Sequence, residues 1–343
     1  MKANTNPSLP ATLLSALLVA TSSLPSALCA QVSDPPAGQA RAGPEKAVSP
    51  TAPKASAVPA VPAVPAVPAV PAAPAALALA PDPTLPPDEG AAKAYLEKSP
   101  RHGEWAELKV AGAASPVRAY VVYPERKEKA PVVVLIHEIY GLSDWIRGVA
   151  DRLAADGFIA VTPDLLSGRG PNGGGTDAFA SRDDVVKAIR ELTPEFVLAG
   201  LDAARDYGTK LPAANGKSAS VGFCWGGSQS FAWALNQPAL DAAVVYYGTG
   251  PDEKSDLSKM KAPVLGLYGG DDARVDATID GSKAAVQKGG KSYEAVLFDG
   301  AGHGFLRQQT GRDGANLKAT QKAWPRTLEF LRANLKERAS SGK

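Results

Sequence analysis

The sequence is poor in the residues that bind metals and form disulfides, since its 343 residues include only three histidines and two cysteines. No group of these residues has the spacing of a metal site, so neither a metal nor another cofactor is expected. The formal net charge is only +2 and no basic helix stands out, which argues against nucleic acid as a partner. The glycine-rich stretches lack the Gly-Lys-Ser/Thr ending of a phosphate-binding loop. Any chemistry must therefore come from a few reactive side chains.

The start of the chain, residues 1–30, differs from the rest. Lys2 precedes an apolar run over residues 11–20, and small residues follow. This pattern is typical of a secretory signal peptide, and its apolar core is too short to predict a transmembrane helix. We therefore expect a periplasmic or secreted protein with no membrane span in the mature chain. Two alternatives stay open: lipidation at Cys29, against which the bulky Leu28 argues, and retention of the leader as an anchor.

Residues 31–87 form a low-complexity segment rich in proline and alanine. A Val-Pro-Ala unit recurs from Val58 to Ala72, which places a proline at every third position. Proline has no backbone N–H to donate, so such a repeat disfavours helix and sheet and favours extended polyproline II. We predict a disordered linker that acts as a spacer and has no catalytic role.

Residues 88–338 alternate between apolar, strand-like runs and helical stretches. Several of the strand-like runs are continuously apolar, as expected of strands that are covered on both faces. The alternation predicts an α/β fold with a mainly parallel central sheet and helices on both faces, around one sizeable core. The predicted strands are 118–123, 132–137, 159–163, 218–222, 242–247, 264–268 and 293–298. The predicted helices are 144–155, 183–192, 195–207, 228–236, 279–288 and 318–336.

The most informative motif is Gly222-Phe223-Cys224-Trp225-Gly226, which lies between a predicted strand and a predicted helix. A nucleophile flanked in this way by glycines is typical of a nucleophile elbow, a strained turn that lifts the reactive atom above the sheet. A side chain at either glycine would crowd its neighbours. Once the leader is removed, Cys224 is the only thiol and no internal disulfide can form. A lone buried cysteine is more often a small apolar residue, so catalysis requires partners.

Two further motifs supply partners for Cys224. His303 lies in a glycine-flanked loop after the last predicted strand, and imidazole is the usual base for a thiol near neutral pH. Asp271 and Asp272 follow the predicted strand at 264–268, where an acid would orient the imidazole. The order cysteine, aspartate, histidine is that of α/β-hydrolases. The pattern Gly-Gly-x-Asp-x-x-Val favours Asp272 over Asp271, but the choice between them stays open, since turn formation would also explain both.

The motifs resemble those of the dienelactone hydrolase family, the carboxymethylenebutenolidase-like α/β-hydrolases, from about Val117 to Leu335. A cysteine at the elbow together with a Glu-Ile-aromatic-Gly loop is specific to this family. The resemblance implies the α/β-hydrolase fold, preceded here by the linker. The matching segments are His137-Glu138-Ile139-Tyr140-Gly141, Gly222-Phe223-Cys224-Trp225-Gly226-Gly227, Gly269-Gly270-Asp271-Asp272 and Ala301-Gly302-His303-Gly304-Phe305.

Further site residues follow from the elbow and from the resemblance. Trp225 comes directly after the nucleophile, so its backbone N–H is expected to be one donor of an oxyanion hole. The resemblance implies that the Ile139 N–H is the second donor, and that Glu138 contacts the resting thiol and helps to form the thiolate. The alternative for Glu138 is a loop carboxylate paired with an arginine. The resemblance also implies that Arg307, four residues after His303, holds a substrate carboxylate.

A second arginine of this family precedes the nucleophile, and an ungapped count places it at Arg182. The simpler alternative for Arg182 and for Arg307 is a solvated surface charge. Val186 stands where the family has a tyrosine, so the resemblance does not identify the substrate. Of the remaining histidines, His137 is expected to pack beneath its loop and His102 to lie at the surface.

These features predict a hydrolase that cleaves a small-molecule ester or enol lactone through a cysteine–histidine–aspartate triad and a thioester. We expect a monomer that binds no nucleic acid. One alternative is a broad-specificity secreted carboxylesterase on the same scaffold. Another, of a different class, is a non-catalytic binding domain displayed on the proline- and alanine-rich stalk.

Overall fold

The computed structural model describes residues 82–336, which lie in the unit Ala75–Lys343. The predicted signal peptide at 1–30, and the predicted linker up to residue 81, lie outside the described residues. None of the helices in the described part of the chain is both long enough and apolar enough to cross a membrane.

One sheet of eight strands forms the centre of the domain, in the order β1-β2-β4-β3-β5-β6-β7-β8. The pairs β1–β2 and β2–β4 are antiparallel, whereas every pair from β4 through β8 is parallel. The parallel strands therefore all end at the same edge of the sheet. The strands are β1 Gly103–Leu108, β2 Val117–Val122, β3 Ala130–Ile136, β4 Ile159–Pro163, β5 Ala214–Phe223, β6 Ala242–Tyr246, β7 Val264–Gly269 and β8 Tyr293–Phe298.

Helices connect the strands, and their ends follow local sequence signals. Ser143 caps the second helix by accepting a hydrogen bond from the Ile146 N–H, and Thr193 caps the fourth in the same way. The helices are α1 Ala92–Lys98, α2 Asp144–Ala155, α3 Arg182–Arg190, α4 Pro194–Lys210, α5 Trp225–Asn236, α6 Ala273–Asp276, α7 Ile279–Lys288 and α8 Ala315–Asn334.

Two apolar clusters lie on opposite faces of the sheet. One contains side chains of α2 and α8, such as Trp145 and Trp324. The other contains side chains of α4, α5 and α7, such as Leu201 and Trp233. Alternate residues of β3 contribute to the two clusters, and this explains why its sequence is continuously apolar. The predicted α/β fold with helices on both faces is confirmed.

The main element that the sequence analysis missed is β1. This strand pairs antiparallel with β2 at the edge of the sheet, and its side chains alternate between exposed and buried positions toward its end. Trp105 is 44% exposed and lies under the guanidinium of Arg118. A half-exposed edge strand needs only a weak apolar pattern, so a search for continuous apolar runs does not find it.

The segment just before Asp88 packs against the domain, although the sequence analysis assigns it to the linker. Leu85 and the two following prolines are buried. The Trp145 indole N–H donates to the carbonyl oxygen of Pro87 at 3.0 Å, which ties this segment to α2. The packed region therefore includes residues 85–87.

Candidate active site

The turn at Cys224 has the strained geometry that the glycine pattern predicts. Cys224 has φ 55° and ψ −117°, a positive φ that few non-glycine residues adopt, and α5 begins at the next residue. A Cβ at Gly222 would lie 2.0 Å from the carbonyl oxygen of Gly226, and one at Gly226 would lie 2.3 Å from that of His137. The predicted crowding at both glycines is confirmed. The turn places the thiol at the carboxyl end of β5.

Three side chains from the ends of different strands form a chain of hydrogen bonds. His303 Nε2 lies 3.0 Å from Cys224 Sγ, and His303 Nδ1 lies 2.5 Å from Asp272 Oδ2. Since an ionised carboxylate can only accept, Nδ1 carries the imidazole proton and Nε2 is left to accept from the thiol. Asp271 instead pairs with Arg312 at the surface, at 2.8 Å. Of the two candidate aspartates, only Asp272 therefore contacts the imidazole.

The two expected oxyanion donors both act on the Cys224 sulfur. Hydrogen bonds from the backbone N–H groups of Trp225 and Ile139 lower the pKa of the thiol. One N–H belongs to the first turn of α5, which follows β5, and the other to the loop after β3; strands β3 and β5 are neighbours in the sheet. A carbonyl oxygen bound beside the sulfur would meet the same two donors.

Other surroundings of the thiol have the opposite effect and dominate. Burial and, next, the negative charge of Glu138 raise the pKa of Cys224 to about 11. The N–H groups of Trp225 and Ile139 and the charge of Arg274 offset this only in part. Cys224 is therefore a protonated thiol at neutral pH in this arrangement, with His303 placed to receive its proton.

Glu138 is buried at the end of β3 and forms an ion pair with Arg307. Its Oε2 lies 2.7 Å from Arg307 Nε, although that N–H does not point along the line required for a well-formed hydrogen bond. Burial raises the pKa of Glu138 to about 7, against the lowering effect of Arg307. The thiol bonds to His303 rather than to Glu138. The arrangement thus has the arginine pairing that the sequence left open, and Glu138 acts on the thiol through its charge without a hydrogen bond between the two side chains.

The two predicted substrate-binding arginines meet at one internal carboxylate, that of Glu89. Arg307 Nη1 lies 2.5 Å from Glu89 Oε2, and Arg182 hydrogen-bonds to the other oxygen of the same carboxylate. Both guanidiniums also lie over the ring of Tyr140, with Cζ 5.1 Å and 4.9 Å from its centroid. Arg307 is buried, whereas the Arg182 side chain is 61% exposed. Arg307 is therefore not a solvated surface charge, whereas Arg182 is a surface residue that pairs with Glu89.

The other two histidines lie where the sequence analysis expects them. His137 is fully buried, stacks on Trp225 with 5.4 Å between ring centroids, and has Nδ1 2.8 Å from the carbonyl oxygen of Glu138. Burial lowers the pKa of His137, so the ring is neutral and supports the loop. The His102 side chain is exposed and pairs with Glu104.

Sequence reasoning missed two residues of the site, Glu89 and Tyr247. Tyr247 follows β6 with a positive φ of 39°, and its ring packs on His303 with 5.1 Å between centroids. Its buried hydroxyl has no hydrogen-bond partner among the described residues. The position of Tyr247 at the end of an apolar strand could have suggested it. Glu89 carries no such signal, because it lies in a polar stretch far from every motif.

Among residues 82–336, no three His, Cys, Asp or Glu side chains form a group that would hold a metal ion. The reactive groups described so far are a thiol, an imidazole and carboxylates. Such a set suits nucleophilic and acid–base chemistry on a bound small molecule.

Comparisons with known proteins agree with the motifs. The sequence model of the Dienelactone hydrolase family matches residues 117–335. A candidate carboxymethylenebutenolidase of Salmonella typhimurium is 31% identical, over 74% of this chain and 92% of the relative. A candidate dienelactone hydrolase of known structure from Klebsiella pneumoniae is 27% identical with a TM-score of 0.58, and the match covers 67% of this chain and 98% of that chain. The dienelactone hydrolase of Anabaena variabilis, 23% identical with a TM-score of 0.52, shares the fold over 69% of this chain and 99% of its own.

Proposed function

The chain belongs to the dienelactone hydrolase family, and on that premise we propose that it cleaves ester or enol-lactone bonds through Cys224, His303 and Asp272. As a member of this family it is a carboxymethylenebutenolidase-like hydrolase of carboxylic esters or lactones. The finer proposal is a thioester mechanism. The observation that carries it is the pair of hydrogen bonds that joins the thiol to the imidazole and the imidazole to the carboxylate.

In the first half of the proposed reaction, His303 Nε2 takes the thiol proton while the sulfur attacks the substrate carbonyl carbon. The carbonyl electrons move to oxygen, and the oxyanion accepts hydrogen bonds from the N–H groups of Trp225 and Ile139. Each such donor typically contributes about 3 kcal/mol to the transition state. Collapse of the tetrahedral intermediate breaks the carbon–oxygen bond, and the leaving alcohol or enol takes the proton from His303.

In the second half, His303 removes a proton from water, and the resulting hydroxide attacks the thioester carbon. The carbon–sulfur bond then breaks, and the sulfur recovers a proton from His303. Asp272 keeps the imidazole in the tautomer that both halves need and stabilises its charged form.

The protonated state of the resting thiol bears on the substrate. Because the pKa of Cys224 is raised to about 11, attack requires proton transfer to His303 as the carbonyl arrives. A thiol is a good leaving group, so the tetrahedral intermediate returns to substrate unless the alcohol leaves easily. Enol lactones and aryl esters meet this condition better than simple alkyl esters. Dienelactone is the first substrate to test, because relatives of this chain carry the name carboxymethylenebutenolidase.

One other proposal remains for the activity and one for the location. A broad-specificity carboxylesterase would hydrolyse aryl esters and leave dienelactone intact. The non-catalytic binding domain considered from the sequence does not fit a member of this hydrolase family. We also propose export to the periplasm or the exterior, on the basis of residues 1–30, which cell fractionation followed by N-terminal sequencing would test.

The proposal is tested with a panel of aryl esters and enol lactones, assayed on the wild type and on two matched aspartate variants. Asp272→Asn should reduce kcat by about 10³- to 10⁴-fold, since the imidazole loses the acceptor that fixes its tautomer. Asp271→Asn removes the same charge from the neighbouring residue and should change kcat less than about threefold, because Asp271 pairs with Arg312 instead.

The acyl-enzyme is sought by quenching with acid and measuring the protein mass. A mass increase equal to the acyl group should map to the peptide that contains Cys224, and should be absent in Cys224→Ala. Equal rates for the two aspartate variants, or hydrolysis that survives in Cys224→Ala, would refute the proposed triad.

A further inference from the structure

Glu89 lies between Arg182 and Arg307 and accepts a hydrogen bond from each of them. One carboxylate oxygen bonds to Arg307 and the other to Arg182, so the carboxylate bridges the two guanidiniums. Glu138, which acts on the Cys224 sulfur, pairs with the same Arg307. The bridge is therefore joined to the reaction centre through one shared arginine.

The position of Glu89 is fixed by the fold of its segment. Its backbone N–H donates to the carbonyl oxygen of Arg307 at 2.9 Å, on the same residue that its side chain holds. Two residues earlier, Pro87 accepts a hydrogen bond from the Trp145 indole, and Leu85 belongs to the apolar core. The carboxylate is thus built into the domain, and displacing it would disturb several contacts.

The charges at this place are balanced. Burial raises the pKa of Glu89, but the hydrogen bonds and charges of Arg182 and Arg307 outweigh it, so the net shift is downward and Glu89 is ionised at neutral pH. Two guanidiniums therefore face Glu89 and the partly ionised Glu138. A further carboxylate at this position would either repel Glu89 or have to replace it.

We infer that Glu89 is a specificity-determining residue: its carboxylate occupies the place between Arg182 and Arg307 where an acidic substrate would be held, so this subsite accepts esters and lactones that bear no carboxylate there. The inference rests on the proposed hydrolase function and deepens it by naming the substrate class: dienelactone itself bears a carboxylate, so uncharged lactones and esters should be better substrates of the wild type than dienelactone. The inference concerns this subsite alone. A separate cation, the exposed Arg274 on α6, also acts on the Cys224 sulfur.

The kinetic test compares two esters that differ in one group. These are 4-nitrophenyl butanoate and the mono-4-nitrophenyl ester of butanedioic acid, in which a carboxylate replaces the terminal methyl group. The wild type should favour the neutral ester in kcat/KM by at least about tenfold. Glu89→Gln should reduce that preference by about tenfold, mainly through a lower KM for the acidic ester, because Arg182 and Arg307 lose the carboxylate that bridges them and can bind that of the substrate instead.

The control is Glu97→Gln, which removes the same charge from an exposed position on α1 of the same segment. It should leave the ratio of the two kcat/KM values unchanged. Glu89→Ala serves as a second variant if Glu89→Gln does not fold, and thermal unfolding is measured for each protein.

A second assay needs no turnover and so separates this inference from the proposed mechanism. Iodoacetamide and iodoacetate both alkylate a thiol, with a carbon–sulfur bond formed and iodide released, and they differ only in the carboxylate. The ratio of their rates at Cys224, followed by peptide mass, should favour iodoacetamide more strongly in the wild type than in N-acetylcysteine. Glu89→Gln should shift that ratio toward iodoacetate by about threefold or more, and Glu97→Gln should not.

The inference is supported if Glu89→Gln shifts both ratios, toward the acidic ester and toward iodoacetate, while Glu97→Gln shifts neither. If no protein hydrolyses any ester and the alkylation ratio still shifts, the mechanism fails while the role of Glu89 stands. A wild type without preference for the neutral ester, or a Glu89→Gln ratio that matches the wild type in both assays, would overturn the inference.

Discussion

The resting Cys224 thiol should be a poor nucleophile toward a simple alkylating reagent, and Glu138 should be part of the reason. Burial and, next, the charge of Glu138 raise the pKa of Cys224 from 9.0 to about 11. Only the thiolate reacts with iodoacetamide at an appreciable rate. The perturbation we consider is Glu138→Gln, which removes the charge and keeps the size of the side chain.

The expected magnitude follows from the two pKa values. At pH 7 a thiol of pKa 9.0 is about 1% thiolate, and one of pKa about 11 is about 0.01% thiolate, a hundredfold difference. The rarer thiolate is intrinsically more nucleophilic, because reactivity rises with pKa with a Brønsted slope of about 0.4–0.5. Over two pKa units, this higher nucleophilicity increases the rate constant of the thiolate by a factor of about six to ten. Wild-type Cys224 should therefore react roughly tenfold more slowly than a free thiol of pKa 9.0.

The effect of Glu138→Gln should depend on pH in a definite direction. The pKa of Glu138 is raised to about 7, so below pH 6 the wild-type side chain is mostly neutral and the two proteins should react at similar rates. Above pH 7 the wild-type carboxylate is ionised and suppresses the Cys224 thiolate, so the variant should react faster by about two- to fivefold. The gain stays below the full tenfold because burial, the larger cause, remains in the variant.

The assay follows incorporation of iodoacetamide into the peptide that contains Cys224, from pH 5.5 to 9.5, under pseudo-first-order conditions. Peptide mapping separates this thiol from Cys29, and Cys224→Ser supplies the blank. Glu97→Gln controls for a general change in charge. A wild-type rate at pH 7 equal to or above that of the free thiol would refute the reasoning, since it would indicate a resting thiolate–imidazolium pair. So would a variant that reacts more slowly than the wild type at pH 8.

Two further predictions concern stability. The pKa of Glu138 is raised from 4.5 to about 7 by folding, so between these values the folded chain keeps a proton that the unfolded chain has lost, and stability falls as pH rises. Relative to the wild type, Glu138→Gln should gain about 3 kcal/mol in free energy of unfolding between pH 4 and pH 8, measured with urea, and a constant difference would contradict this. Gly222→Ala should lose at least about 3 kcal/mol or fail to fold, because its Cβ would meet a backbone oxygen at 2.0 Å. The matched Gly281→Ala lies in α7 with open space around its Cβ and should gain about 0.5–1 kcal/mol, and equal losses in the two alanine variants would show that the elbow is not crowded.

The sequence was sufficient to predict the parts of the fold whose pattern is local and strong. Helices α2 and α7 and strands β4 and β8 begin and end at the predicted residues. The continuously apolar strands are buried on both faces, so their signal exceeds that of any exposed element. Strand β1 escaped because Gly103, Glu104 and Glu107 interrupt its apolar residues, whereas β8, which is also partly exposed, keeps the apolar run 295–298. Helix α6 escaped because four residues are too few to show a helical period.

The residues of the candidate site also differ in whether a local sequence pattern marks them. The thiol and the imidazole were predicted because each lies in a glycine-rich motif at the end of a strand, where backbone geometry restricts the sequence. The contact of Glu138 with the thiol could not be checked from sequence, since it depends on which of two neighbours the carboxylate faces. The role of Glu89 could not be predicted from the sequence, because its partner Arg307 is more than 200 positions away in the chain and no local pattern connects them.

The surroundings of Cys224 keep the resting thiol protonated rather than as reactive as possible. A cysteine at the N-terminus of a helix, beside an imidazole, has two features that would ordinarily stabilise a thiolate. Here burial and Glu138 outweigh both and keep the thiol protonated at neutral pH. Oxidation of cysteine proceeds through the thiolate, so a protonated thiol resists it. In the proposed mechanism the thiol gives up its proton only when a carbonyl reaches the Trp225 and Ile139 N–H groups, so it would be protected between turnovers in the oxidising compartment to which residues 1–30 predict export. Glu138 contributes to this state through its negative charge, and Arg307, which is held in turn by Glu89, opposes the rise in the pKa of Glu138 and so favours its charged form.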